Sequence, residues 1–392
     1  KTYYDGTYHI TYAYDTNGNR IREGRDDNTV KEYTYNKLNQ LISVKDFDGT
    51  VTTYAYDGAG NRVSKNTYYW SGTLKSGETY GYTNSTWGDL LTNYDGTTIS
   101  YDASGNPKNW KDILILDWRG NRLKNLYFDT PDAEGIFFEY NADGIRTEKT
   151  YAERAGEVPV YTDVYTVDGS KILSEQRTDE ETGNVIRTIY YVYDANGQPV
   201  GMKYNGVQYW YQKNMQGDVV RILNASGAEV VSYAYDAWGK VLSVSGSLSS
   251  TVGAANPFRY RGYYYDTETG WYYLNSRYYD PNVGRFLSPD NANLLLASPR
   301  ALTDKNLYAY CDNNPVMRTD DNGDFWHIAV GGLLGGLIGG IAQVASNIIE
   351  GENAFDGVGA AFISGAASGA LASTGVGIVG SIVGNAGISM AE

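Results

Sequence analysis

Few residues in this chain are equipped for catalysis by histidine, cysteine or serine. Its 392 residues include two histidines, His9 and His327, and one cysteine, Cys311. No G-x-S-x-G, H-E-x-x-H or P-loop pattern occurs, which argues against a serine triad or a histidine-held metal. Nothing in the spacing joins Cys311 to His327 as a thiol–base pair, and a buried inert thiol is the plainer reading. Carboxylates remain. Asp280 sits in RYYDPNVG, Asp290 ends FLSPD, Asp320 opens DDNGD, and Arg277 precedes Asp280 by three positions. Two carboxylates held close together cannot both ionise cheaply. One then keeps a proton while the other activates water, and an arginine can hold the charged partner or stabilise an oxyanion. The same residues have a second reading, as turn caps beside proline and a structural ion-pair arginine.

The elements that must position them are short strands. Tyr260–Asp290 (YRGYYYDTETGWYYLNSRYYDPNVGRFLSPD) has eight tyrosines and three arginines in 31 residues. DTETG reads as a hairpin turn ended by Gly270, and in RYYDPNVGRF Pro281 and Gly284 set a second turn. Tyrosines flank both turns and can pair across strands, while the arginines can stack on rings or bind carboxylates.

Upstream, YAYDTNGNR begins at Tyr12, YTYNKLNQL at Tyr33 and YAYDGAGNR at Tyr54, a spacing of 21 residues. Looser copies surround Tyr101, Asp117, Tyr140, Tyr191 and Tyr233, and Asp194, Asn214 and Asp236 are 20 and then 22 residues apart. Each unit reads as a strand, a turn capped by Asp or Asn with Gly or Asn left-handed, and a return strand. Hairpins cannot bury a face alone, so they must stack into a continuous sheet. A calcium loop would need several carboxylates converging in one turn, and these turns do not supply them.

Composition agrees, with 38 tyrosines for half-buried strands and 46 glycines for positive-φ turns. A net charge of −14 argues against nucleic acid as a partner of the repeats. A single cysteine excludes an internal disulfide framework. Residue 1 already lies within a repeat, so the chain reads as a fragment of something longer.

These repeats, over roughly residues 1–245, resemble the YD units of the RHS/YD-repeat family. Residues 260–290 are similar to its associated core, RYRGYYYDxETGLYYLxxRYYDPxxGRFLSPDP, with Trp271 at the usual leucine and Asn291 where proline is common. Asn306-Leu-Tyr-Ala-Tyr310, Asn313-Asn314-Pro315-Val316 and Asp320-Asp-Asn-Gly323 continue the likeness. The resemblance implies a mainly β fold in which YD-repeat hairpins stack into a coiled sheet or shell around a polypeptide. It also implies an aspartyl autoprotease that releases the segment beyond the core. Carried over, Asp290 matches the catalytic aspartate and Arg277 the essential arginine, with Asp280 and Asp320 as candidate second carboxylates. The implied cut falls near Asp324–Phe325. Asp321 replaces the motif's proline and Asp324 its leucine, which leaves cutting, a shifted site and loss of cutting all open.

Beyond Asp324 the composition changes. Residues 327–349 and 357–391 carry no formal charge, and glycines recur every four residues. This small-xxx-small pattern reads as an α-helical glycine-zipper hairpin, either long enough to contact a membrane or packed dry inside the shell. The expected organisation is a repeat wall over 1–245, a core over 246–324 and the start of a variable effector over 325–392. No cofactor or metal is expected. The implied partners are the chain's own C-terminal segment and an immunity protein, and the implied location is secreted or on a bacterial surface. A second reading has a non-enzymatic surface module binding carbohydrate or a partner through its aromatic strands, anchored by the tail.

Overall fold

The computed structural model describes residues 2–4, 9–154, 159–290, 306–320 and 323. The described chain is mainly antiparallel β. Strand pairs with next strand in chain order: His9–Tyr14 with Arg20–Arg25, then Val30–Tyr35, then Leu41–Lys45 and onward. One difference from the expected continuous sheet stands out. Ten strands from Thr2 to Thr98 form one sheet and twelve from Ile113 to Ser245 form another. Between them only the isolated bridges Tyr101–Pro107 and Trp110–Ile113 remain. Pro107 has no N–H to donate, so a regular ladder cannot run through this stretch.

The repeat turns are made as their residues dictate. Asp15 Oδ1 accepts the N–H groups of Asn17 (2.9 Å) and Asn19 (2.8 Å), and Gly18 lies at φ +84°. The same pair of bonds recurs at Asn36, Asp57, Asp102, Asp194, Asn214 and Asp236. Backbone amides thus occupy the capping oxygen of each turn. In a meander successive turns fall on opposite rims, so the turns headed by Asp15, Asn36 and Asp57 share one rim of their sheet. Those headed by Asp194, Asn214 and Asp236 likewise share one rim of the other.

The paired tyrosines divide their work. The first of each pair is buried, as at Tyr12, Tyr33, Tyr54, Tyr191 and Tyr233. The second reaches back to the preceding unit. Tyr35 Oη donates to the Arg20 carbonyl (2.9 Å), Tyr56 to Leu41 (2.7 Å), Tyr193 to Ile172 (2.6 Å) and Tyr235 to Val219 (2.8 Å). Each bond is worth about 1 kcal/mol net and ties neighbouring units together.

After the wall comes a plug. Its four short strands are Tyr264–Asp266, Trp271–Tyr273, Tyr278–Asp280 and Arg285–Phe286. Unlike the wall strands, these are buried on both faces. Tyr264, Trp271, Tyr273, Tyr278 and Leu287 join a core with Leu126, Ile189 and Ile222 of the second sheet. Tyr272, Tyr279 and Phe286 face the other way, into a core with Tyr33, Leu41, Tyr54 and Trp238. Residues 1–289 and 306–323, wall and plug together, form one compact unit. The stretches 327–349 and 357–391, expected as a helical hairpin, lie outside the described residues.

Candidate active site

The plug is fixed by the repeat turns themselves. Three successive carbonyls of the Asp236 turn accept from three plug tyrosines: Ala237 from Tyr260 (3.2 Å), Trp238 from Tyr279 (2.7 Å) and Gly239 from Tyr272 (2.8 Å). The segment 306–316 reads other turns. Asn314 Nδ2 donates to Asn19 Oδ1 (2.9 Å), Asn313 Nδ2 to the Gly60 carbonyl (2.7 Å), Tyr308 Oη to the Gly105 carbonyl (2.7 Å), and Asn306 Nδ2 to Asn61 Oδ1. Turns of the first wall sheet and of the stretch between the two sheets therefore set the position of one short segment. Within it Cys311, Asp312 and Asn313 stand consecutively at φ +53°, +48° and +61°. Three left-handed non-glycine residues in a row persist only where surrounding contacts over-determine them.

This segment leads directly into Asp320. Arg277 holds the next four residues at two points. Its Nη2 donates to Asp320 Oδ2 (3.2 Å), its Nε donates to the Gly323 carbonyl, and its Nη1 reaches the Leu307 carbonyl (3.2 Å). The guanidinium carbon stands 3.6 Å from the Phe286 ring centroid, so one face of the cation is covered. Arg277 and Asp320 are both buried. Gly323 lies at φ +72°, and a Cβ there would meet Ser276 Oγ at 2.6 Å and the Leu274 carbonyl at 2.7 Å. Only glycine seats in that slot.

Asp280 has other partners. Asp280 is fully buried, but its Oδ1 accepts the N–H groups of Asn282 (2.8 Å) and Val283 (3.3 Å), as a turn cap does. Its Oδ2 accepts from Trp110 Nε1 (2.9 Å) and pairs with Lys111 (3.5 Å), which ties the plug to the wall. Asp290 is half-buried and lies just past the compact unit of wall and plug in the sequence. Asp324, Phe325 and His327 lie outside the described residues. His9 is exposed and bonds Asp26 at 3.1 Å. Cys311 is buried, and burial followed by the charge of Asp320 pushes its thiol up, so it stays protonated rather than nucleophilic.

Sequence reasoning missed a buried ionic cluster between plug and wall. Lys149, Asp163, Arg177 and Arg187 stand opposite one another on four neighbouring strands. Arg177 grips Asp163 with two bonds (2.7 and 2.6 Å), and Arg187 pairs with both Asp163 (3.2 Å) and Glu175. The plug turn adds Asp266, held by Arg146 through two bonds (2.7 and 3.1 Å), and Glu268, held by Lys149 (3.0 Å). Four cations thus face four carboxylates. Burial would raise the Glu268 carboxyl, yet Lys149 and the Tyr161 hydroxyl overcome it and bring it down to about 2. An inward charge within alternating strands was the available signal, and the plug carboxylates Asp266 and Glu268 stand over a hundred residues from Arg146 and Lys149.

Comparison with known proteins fits this architecture. A family model described as Teneurin YD-shell matches residues 181–316, and one described as RHS Repeat matches residues 35–73. The tRNA nuclease WapA of Bacillus subtilis strain 168 is 35% identical over 297 residues, which covers 76% of this chain and 12% of WapA. Toxin protein Tse5 of Pseudomonas aeruginosa is 24% identical over 371 residues, covering 80% of this chain and 26% of Tse5. The chain therefore spans only a small part of the curated relatives it matches. Among solved structures, a Photorhabdus luminescens Tc holotoxin pore aligns with a TM-score of 0.66 at 20% identity, over 81% of this chain and 17% of that one, a likeness of fold. In its repeat turns, its tyrosine-rich plug and these matches, the chain belongs to the RHS/YD-repeat family.

Proposed function

We propose that this chain is the closing end of an RHS-family toxin shell, which encloses a C-terminal effector segment and frees it by cutting itself after Asp324. The observation that carries this reading is the double grip of Arg277 on Asp320 and on the Gly323 carbonyl, one residue before the expected scissile residue. In a buried setting the guanidinium favours Asp320 as the carboxylate, the form able to take a proton from water. Asp290 then supplies the protonated partner. Water adds to the Asp324 carbonyl carbon while Asp320 accepts its proton and Asp290 gives one to the carbonyl oxygen. Collapse of the tetrahedral diol breaks the C–N bond. The proton on Asp320 passes to the Phe325 nitrogen, and Asp290 recovers its own as the carbonyl reforms. Asp320 suits the second-carboxylate role better than Asp280, whose oxygens are committed to the turn and to Trp110. Export from a bacterial cell and an immunity protein for the freed segment follow from the same reading.

The test is the intact mass of the purified chain beside Asp290→Asn. Wild type is expected to yield a fragment running from Phe325 to Glu392, and the variant to stay whole. An uncut wild type refutes the proposal for this chain.

A further inference from the structure

The clamp on residues 320–323 has a third contact that neither the repeat pattern nor the carboxylate chemistry requires. The backbone N–H of Asp320 donates to Tyr263 Oη at 2.9 Å, and Tyr263 Oη shares a second hydrogen bond with Tyr310 Oη at 3.1 Å. Both tyrosines are buried, and burial pushes both phenols far above their ordinary range, so they remain neutral. We propose that Tyr263 is a positioning residue for self-cleavage, a neutral hydroxyl that fixes the main chain of Asp320 so that its carboxylate meets Arg277. This role rests on the cleavage reading above.

The surroundings of Tyr263 are built to hold that hydroxyl in place. Its backbone is pinned from both sides, with its N–H on the Tyr260 carbonyl (2.9 Å) and its carbonyl accepting from the Arg259 N–H (3.1 Å). Its ring meets those of Tyr260, Tyr272 and Tyr310 edge-on, at centroid distances of 6.1, 6.2 and 6.4 Å. A ring confined on three sides leaves its oxygen little room to wander. That oxygen accepts from Asp320 and shares a second bond with Tyr310, in which either hydroxyl can donate. Arg277 holds one carboxylate oxygen of Asp320 and the Gly323 end of the segment. Without Tyr263 the Asp320 backbone could rotate, and the carboxylate would leave the guanidinium.

The experiment is a cell-free translation pulse–chase of the full chain, reading the rate at which the Phe325–Glu392 fragment appears, for wild type, Tyr263→Phe and Tyr272→Phe. Tyr272→Phe is the control. It removes an equally buried plug hydroxyl, one that bonds the Gly239 carbonyl at 2.8 Å rather than Asp320. Misplacing a reacting group by a fraction of an ångström slows reaction by about tenfold or more, so Tyr263→Phe is expected to cut at least about tenfold slower. Tyr272→Phe should stay within about twofold. The acid limb of the rate–pH profile should also move to higher pH in Tyr263→Phe alone, because weaker pairing with Arg277 makes the Asp320 carboxylate easier to protonate.

Equal slowing by both variants, or no slowing by either while wild type cuts, overturns the role of Tyr263 and leaves the cleavage reading standing. An uncut wild type overturns the cleavage reading and this role with it. Folding is followed by limited proteolysis. Should Tyr263→Phe fail to fold, Tyr310→Phe takes away the hydroxyl that holds the Tyr263 oxygen from its other side and is expected to slow cutting; an unchanged rate there overturns the role.

Discussion

Wall and plug use the same residue for different purposes. In the wall, a tyrosine hydroxyl bonds the carbonyl of the preceding unit, as Tyr56 does with Leu41, and the strand keeps one face open. In the plug, hydroxyls reach out of their own sheet to wall turns, as Tyr272 does with Gly239, and both strand faces are buried. A wall unit can therefore be repeated, because each needs only its neighbour. The plug cannot be repeated, because its hydroxyls bond turns outside its own sheet, 23 to 41 residues earlier in the chain. The lesson concerns polarity: a segment rich in tyrosine and arginine can be a core when each hydroxyl and guanidinium has a fixed acceptor.

Perturbations should expose this contrast. The largest effect is expected at the ionic seam. Arg146→Met removes the buried bidentate partner of Asp266 and should destabilise the fold by about 3–5 kcal/mol, read as a lowered midpoint in thermal or urea unfolding. Comparable replacement of Arg22, an exposed wall arginine, should change little. Next comes Glu268, whose folded pKa lies well below its ordinary value of 4.5, at about 2. Its stabilising contribution is present above pH 4.5 and is lost as pH falls through about 2. Glu268→Gln should thus lower stability at neutral pH by an order of 3 kcal/mol, and should flatten the decline between pH 4.5 and 2 in acid-unfolding curves. The smallest effect separates two matched glycines. Gly239 and Gly227 lie at φ +90° and +82°, but a Cβ at Gly239 would meet the Tyr260 ring at 2.5 Å, while nothing stands within 4 Å of one at Gly227. Alanine should cost about 1 kcal/mol of backbone strain at both and a further 1–2 kcal/mol at Gly239 alone, measurable as the difference in unfolding midpoints.

Much of the wall was legible because its logic is local. The 21-residue spacing and the Asp–Gly turns are set by chain geometry within a few residues, and the structure reproduces them at Asp15 and Asp57. The break at residues 99–112 was less visible, since Pro107 alone does not announce where two sheets part. At the site, Arg277 and Asp320 were named through a family pattern, and the structure joins them at 3.2 Å. Tyr263 was not distinguishable among eight similar tyrosines, because its role depends on a partner 57 positions later. The ionic seam was hidden for the same reason: Arg146 and Asp266 are 120 residues apart, and no spacing rule links them. The left-handed turn at Cys311–Asn313 was likewise out of reach, since none of its residues is glycine.

The central claim is that the plug's arginine clamps residues 320–323 for self-cleavage. The most direct test is a time course of intact mass for wild type and Arg277→Gln, with matched circular dichroism to report the fold. The account predicts a cut after Asp324 in wild type and an uncut, folded Arg277→Gln chain. A folded Arg277→Gln chain that cuts at the wild-type rate would contradict it.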